Sequence, residues 1–183
     1  MTNMATLKFN LRREVNKAEN KRLIRDGYLI GNLNSRNADS LPIAITKNEF
    51  RSALKANGRN CVFKLEGPDQ KSYDVMVKAI QVKPGSYEYH HVDFQHVLLD
   101  ERVKANVAIK YTGTEFLEAK RLILSRLMDS IPVSGLPHDI PETVEFDVST
   151  LEGGANIFVD DLKFDEGIIP ELDGQQLIGS IIM

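Results

Sequence analysis

An amide, an imidazole and a carboxylate on two neighbouring predicted strands are the residues best suited to chemistry. The segment 78–95 reads as two strands around a Pro84-Gly85-Ser86 turn, because apolar and polar residues alternate on either side of that turn. His91 and Asp93 share one face of the second strand, since successive side chains of a strand point to opposite faces. Gln81 lies on the preceding strand. Such groups hydrogen-bond to base edges, so the sequence predicts a nucleic-acid-binding sheet face.

A metal site is an alternative interpretation of the same stretch. His91 and Asp93 could chelate an ion together, and alternation places Tyr89 on their face but His90 and His96 on the other. Since zinc is rarely held by two protein ligands, we expect no metal. The sequence also lacks a phosphate-binding Gly-rich loop and a nucleophile motif. We therefore expect no enzyme, no cofactor and no small-molecule substrate.

A basic segment lies closer to the start of the chain. The residues from Lys17 to Asp26 are predicted to form a short helix that Gly27 ends in the left-handed conformation. Lys17 and Lys21 are four residues apart, which places them on one helix face. A solvated helix face is the alternative, but Lys and Arg also neutralise the phosphates of nucleic acids. The residues that we expect to contact phosphates are Arg12, Lys17, Lys21, Arg22 and Lys83.

The charge of the chain is distributed unevenly. The 183 residues have a net charge of −3, yet residues 1–95 carry +6 and residues 96–183 carry −9. A basic half beside an acidic half suggests that only the first half meets a polyanion. The single cysteine, Cys61, allows no internal disulfide and fits a buried structural thiol. The apolar runs are too short for a membrane helix and the N-terminus shows no signal pattern, so we expect a cytoplasmic protein.

The first half contains further strands and a second predicted helix. Thr46 and Glu49 have the spacing of a capping box, and Gly58 is placed to end the helix that this box opens. The residues 67–70 form a predicted hairpin turn. Alternation predicts strands at Ala5–Leu11, Leu41–Ile45, Val62–Glu66 and Tyr73–Val82.

Short strands at similar spacing dominate the second half. Strands are predicted at Arg102–Tyr111, Thr143–Val148 and Asn156–Leu162, which suggests a β-sandwich-like domain. The segment from Thr114 to Asp129 is ambiguous, since its apolar spacing also fits a helix.

Two motifs make the chain resemble a known family. The first is Val77-Lys78-x-x-Gln81-x-x-Pro84 followed by His91-Val92-Asp93-Phe94, and the second runs from Leu136 to Ser149. Together they resemble the bacterial large-subunit ribosomal protein family number twenty-five, in the long form called general stress protein CTC. The resemblance implies a structural component of the large ribosomal subunit, located in the cytoplasm on the ribosome. Its implied partners are 5S rRNA and other components of the subunit, with no membrane.

The resemblance also implies the fold class. We expect a mainly β protein with a few helices, in which residues 1–98 form a small β-barrel-like RNA-binding domain and residues 99–183 an acidic β-sandwich-like domain. The resemblance further implies a loop after Thr114 and then a strand across Leu122–Leu127.

The chain departs from the family pattern around the basic helix. Asn16 and Ala18 stand where the family has glycines, Asn20 replaces a serine, and Asn34-Ser35 replaces Tyr-Gly. A tyrosine able to stack on RNA is therefore absent. The alternative function is thus a stress-related, ribosome-associated interaction protein with weakened or altered RNA binding. The predicted RNA-binding residues are Arg12, Lys17, Asn20, Lys21, Arg22, Gln81, Lys83, His91 and Asp93.

Overall fold

The computed structural model describes residues 5–12, 16–36, 39–68, 71–86 and 88–182. The chain divides into two compact units, Met1–Glu101 and Arg102–Met183. Strands predominate in both units, which confirms the mainly β fold class. Within the described residues, no helix is long and apolar enough to cross a membrane.

A closed six-stranded barrel forms the first unit. The strand order around the barrel is β1-β3-β2-β6-β5-β4, in which β1–β4 and β2–β6 are parallel pairs and the other pairs are antiparallel. The elements of this unit are β1 (Ala5–Leu11), α1 (Lys17–Arg25), β2 (Tyr28–Asn34), β3 (Leu41–Thr46), α2 (Lys47–Asn57), β4 (Phe63–Glu66), β5 (Ser72–Val82) and β6 (Tyr89–His96).

Helix α2 contributes to the core of the barrel. Its Phe50 is fully buried, and the ring centroid of Phe50 lies 5.8 Å from those of Phe94 and Tyr89, both in edge-to-face arrangements. Burying a side chain of this size contributes roughly 1.5–3 kcal/mol. Ala53 and Leu54 pack against the same cluster, as the apolar spacing of the helix requires.

Two β-bulges interrupt the alternation of the β5–β6 hairpin. Lys78 is the extra residue between the pairs Val77–Phe94 and Ala79–Asp93, and His90 is the extra residue between Gln81–His91 and Val82–Tyr89. The prediction that Tyr89 lies beside His91 is therefore wrong, because the bulge at His90 turns Tyr89 towards Phe50. The faces of His91 and Asp93 are as predicted.

The starts and ends of the two helices of the barrel unit follow local backbone chemistry. Gly27 follows α1 with a φ of 86°, in the predicted left-handed region, and Gly58 ends α2 as predicted, with a φ of 80°. The predicted capping box of α2 is wrong, since the Thr46 side chain forms no capping hydrogen bond. The N–H of Lys47 instead donates to the carbonyl oxygen of Gly27 at 3.1 Å. Two predicted segments, 13–15 of the basic stretch and 69–70 of the hairpin turn, lie outside the described residues.

Two sheets form the second unit and share one hydrophobic core. Their strand orders are β10-β7-β9-β12 and β11-β13-β8. Val107 and Val133 of the first sheet are buried in the same cluster as Ile178 and Ile181 of the second. The elements are β7 (Val103–Thr112), α3 (Thr114–Ala119), β8 (Ile123–Arg126), β9 (Ser130–Gly135), β10 (Thr143–Asp147), β11 (Asn156–Phe158), a 3₁₀ turn (Val159–Asp161), β12 (Ile169–Pro170) and β13 (Leu177–Ile182).

Two sequence predictions for this unit need correction. The segment after Thr114 is the short helix α3 rather than a loop. Its Leu117 is buried in the core, which agrees with the helical spacing of the apolar residues. The predicted strand Asn156–Leu162 ends at Phe158, where the backbone N–H donates to Asp161 Oδ2 at 2.8 Å and a 3₁₀ turn begins. The strand predicted across Leu122–Leu127 is confirmed as β8.

Strands β2 and β6 approach each other closely at Gly31. Gly31 pairs with Val92, and a Cβ atom on Gly31 would lie 2.4 Å from the Val92 carbonyl oxygen. Gly31→Ala is therefore expected to destabilise the chain by about 1–3 kcal/mol through overpacking. Asn34→Ala, on the same strand, is the control and is expected to stay within about 0.5 kcal/mol. Denaturant unfolding of both variants measures the difference, and equal stability of the two would contradict the close approach.

Candidate nucleic-acid interface

Polar side chains form cross-strand rows on the outer face of β2, β6 and β5. His91 of β6 pairs with Gln81 of β5, and Asp93 pairs with Asn32 of β2. Because directly paired residues of neighbouring strands lie on the same face, these four side chains form one patch. The predicted convergence of Gln81, His91 and Asp93 is thus present in the fold, and Asn32 extends it by one strand.

The Asp93 carboxylate lies between two nitrogen-bearing neighbours. Asn32 Nδ2 lies 3.5 Å from Asp93 Oδ1, and His91 Nδ1 lies 3.7 Å from Asp93 Oδ2. The first distance is at the long limit of a hydrogen bond and the second lies beyond it. The carboxylate therefore keeps acceptor capacity for a further donor, while both side chains remain partly exposed, Asp93 at 25% and His91 at 17%.

His91 is held in its neutral form by its surroundings. Burial lowers the pKa of His91, the Arg12 and His90 charges lower it further, and Asp93 opposes them only in part. Its Nδ1 is buried and finds no hydrogen-bond partner in the described part of the chain. A neutral imidazole offers one donor and one acceptor, which suits hydrogen bonding to a base or a sugar.

Arg12 lies at the edge of this patch but is buried. Arg12 is 7% exposed. Its backbone N–H donates to the Pro42 carbonyl oxygen at 3.0 Å, and its guanidinium donates to Asn20 Oδ1 at 2.5 Å. The hydrogen bond to Asn20 joins α1 to the segment that follows β1. In this arrangement Arg12 positions the helix, and its predicted phosphate contact stays a prediction.

Helix α1 carries the exposed cations. Asn16 caps the helix, since its Oδ1 accepts from the N–H of Glu19 at 2.7 Å. Lys17 and Lys21 are exposed and have no ion-pair partner among the described residues. Arg22 is 72% exposed and its Nε lies 3.9 Å from Asp26 Oδ2, a surface pair of little strength. These three cations are free to reach a polyanion.

The departures from the family pattern fit a stable helix. Asn16 supplies the cap, Asn20 accepts from Arg12, and Ala18 lies at a helical position where the resemblance implies a glycine. Alanine favours a helix by about 1 kcal/mol over glycine. These residues therefore give α1 a fixed position beside the sheet.

Lys83 and the asparagines of β2 complete the interface. Lys83 is exposed at the β5–β6 turn, where its N–H donates to the Glu88 carbonyl oxygen at 2.8 Å. Asn32 and Asn34 did not emerge from the sequence as site residues. Their signal was the alternation of β2, in which Leu29 and Leu33 are buried and the asparagines fall on the other face. No group of three or more potential metal ligands comes together within the described ranges.

Comparison with known proteins identifies the family. The model of the ribosomal L25p family matches residues 7–94, and the model of the C-terminal domain of ribosomal protein TL5 matches residues 102–183. Large ribosomal subunit protein bL25 of Lachnoclostridium phytofermentans is 46% identical over 94% of this chain and 90% of that relative. The chain belongs to the bL25 family.

More distant bL25 proteins align over a similar length. The bL25 protein of Thermoanaerobacter pseudethanolicus is 30% identical over 94% of this chain and 86% of its own length. The bL25 protein of Bacillus velezensis is 28% identical over 98% of this chain and 88% of its own length. The resemblance inferred from the two sequence motifs is thereby confirmed.

Removing the acceptor of Arg12 tests how α1 is held. Asn20→Ala leaves a buried guanidinium N–H without its partner, so we expect a loss of about 1–3 kcal/mol in the free energy of unfolding. Lys21→Ala is the matched control, because it changes the next residue of the same helix at an exposed position. Chemical denaturation compares them. Equal unfolding energies for both variants would show that the hydrogen bond does not hold the helix.

The lowered pKa of His91 predicts a pH dependence of stability. An unfolded histidine titrates near pH 6.5, so below about that pH the unfolded chain binds more protons than the folded chain and stability falls. Above this pH both forms are neutral and the contribution is constant. Compared with His91→Asn, the native chain should therefore lose more stability between pH 7.5 and pH 5. Gln81→Ala changes the neighbouring position without a titrating group, so its stability difference from the native chain should not vary with pH. A His91→Asn difference equally independent of pH would contradict the lowered pKa.

Proposed function

We propose that this chain binds 5S rRNA through the outer face of β2, β6 and β5. Membership of the bL25 family makes it a structural protein of the large ribosomal subunit, with its place on the cytoplasmic ribosome. The observation that supports the finer assignment is the row of Gln81, His91, Asp93 and Asn32 beside a helix with exposed cations. Other components of the subunit are further partners.

The cations and the sheet face of the interface have different roles in this proposal. Lys17, Lys21 and Arg22 of α1, with Lys83 of the hairpin, contact phosphates and supply affinity that depends on salt. Arg12 and Asn20 hold α1 against the barrel, so the cations meet the RNA without first being ordered. Fixing a binding element in its bound position lowers the cost of association.

In this proposal the sheet face distinguishes 5S rRNA from other RNA. A carboxylate repels phosphates, so Asp93 contributes favourably to binding only where a base amino group donates a hydrogen bond to it. Neutral His91 and the amides of Gln81 and Asn32 can both donate and accept. Helical RNA offers base edges and 2′-hydroxyls in its wide minor groove, or in a major groove opened by non-standard pairs.

The second unit has a different proposed role. Residues 96–183 carry a net charge of −9, which opposes contact with a polyanion. We assign it to protein contacts or solvent. The proposal includes no catalytic step, cofactor, small-molecule substrate or membrane. The stress-related alternative, in which the chain joins the ribosome but binds 5S rRNA weakly, remains the competing outcome.

Two variants separate affinity from discrimination. Replacing Lys17, Lys21 and Arg22 together with Ala should reduce the salt slope of 5S rRNA binding by about 0.7–0.9 for each lost phosphate contact. Asp93→Asn keeps the side-chain shape and should reduce the preference for 5S rRNA over an unrelated RNA duplex by roughly 1–3 kcal/mol. Binding titrations at several salt concentrations measure both quantities.

The controls use cations of the second unit. Replacing Lys110, Lys120 and Lys163 with Ala removes the same charge, and we expect the salt slope to change little. If the native chain shows no preference for 5S rRNA yet co-sediments with ribosomes, the stress-related alternative is correct. If Asp93→Asn melts early but keeps the original preference, the recognition role of the sheet face is wrong.

A further inference from the structure

Helix α2 has a basic ridge that the sheet face does not include. We use the term α2 ridge for Lys47, Arg51 and Lys55, which are spaced by four residues and lie on one face of the helix. Successive members are about 6 Å apart along the helix axis, given a rise of 1.5 Å per residue. Phe50 and Leu54, on the adjacent face of the helix, pack into the barrel core and hold α2 in place.

Only part of the α2 ridge stabilises the helix. Like charges four residues apart destabilise a helix by about 0.2–0.5 kcal/mol per pair, and a cation in the first turn opposes the helix dipole, whereas Lys55 in the last turn interacts favourably with it. Lys47 Nζ is compensated by Glu88 Oε2 at 3.4 Å. Arg51 and Lys55 are exposed, and neither has an ion-pair partner in the part of the chain that the structure describes.

The α2 ridge begins where the proposed RNA interface ends. The N–H of Lys47 donates to the carbonyl oxygen of Gly27, which directly follows α1 and its turn. The pairing of Lys47 with Glu88 places the same end of α2 beside the β5–β6 turn that carries Lys83. One end of the ridge therefore lies beside Gly27, which follows α1, and beside the hairpin turn.

We propose that the α2 ridge binds the sugar–phosphate backbone of the RNA whose grooves meet the sheet face. This inference rests on the proposed function and extends the RNA-contacting surface onto a second helix. Arg51 and Lys55 contact phosphates, which position RNA without reading its sequence. The α2 ridge therefore adds affinity and salt dependence, and leaves discrimination to the sheet face.

The experiment is a salt titration of 5S rRNA binding with Arg51→Ala/Lys55→Ala in the full chain. Two lost phosphate contacts should reduce the slope by about 1.4–1.8, so that the variant loses about tenfold less affinity than the native chain between 50 and 200 mM salt. The preference for 5S rRNA over an unrelated duplex should not change. The melting temperature should change little, because the variant removes both a like-charge pair and the favourable interaction of Lys55 with the helix dipole.

The control is Lys64→Ala/Lys71→Ala, which removes the same charge from β4 and the residue before β5. We expect this control to keep the native slope. An Arg51→Ala/Lys55→Ala slope equal to that of the control would overturn the α2 ridge while leaving 5S rRNA binding intact. Failure of the native chain to bind 5S rRNA would instead overturn the proposed function itself.

Discussion

The parallel pairing of β2 with β6 is the constraint on which the first unit depends. It completes the closed barrel, and it is close because Gly31 has no side chain to collide with the Val92 carbonyl. The same pairing sets Asn32 beside Asp93, and β2 also supplies the strand against which α1 packs. One backbone contact thus links the closure of the core to the arrangement of the polar face.

Within the basic segment, the buried cation Arg12 and the exposed cations of α1 have different roles. Arg12 is among the few buried polar residues of the described chain, and a buried guanidinium is tolerated only where hydrogen bonds replace water. Asn20 Oδ1 accepts such a bond from the guanidinium, while the Pro42 carbonyl accepts from the backbone N–H of Arg12. Lys17 and Lys21 are exposed to water. Arg12 therefore stabilises the fold through a hydrogen bond, whereas Lys17 and Lys21 leave positive charge at the surface.

Sequence patterns predicted the faces of His91 and Asp93 because alternation is a local property of a strand. They did not reveal the bulge at His90, since an extra residue changes the pairing partner and not the composition. The burial of Arg12 was also hidden, because it depends on where α1 packs. Asn20 was read as a departure from a family pattern, and only its distance to Arg12 gives it a structural role.

The bulge at Lys78 has a consequence for how this chain can vary. Val75 and Val77 point into the barrel before the bulge, and after it Ile80 packs on the core while Gln81 is exposed. Deleting Lys78 would make the pairs Val77–Phe94 and Ala79–Asp93 consecutive, and Ile80 would still face the core while Gln81 stayed exposed. The hairpin can therefore lose one residue at the bulge without exchanging its two faces, whereas the same loss in a regular part of the strand would send polar residues into the core. The face that Gln81 occupies is thus set by its pairing with His91 and not by its distance along the chain from Lys78.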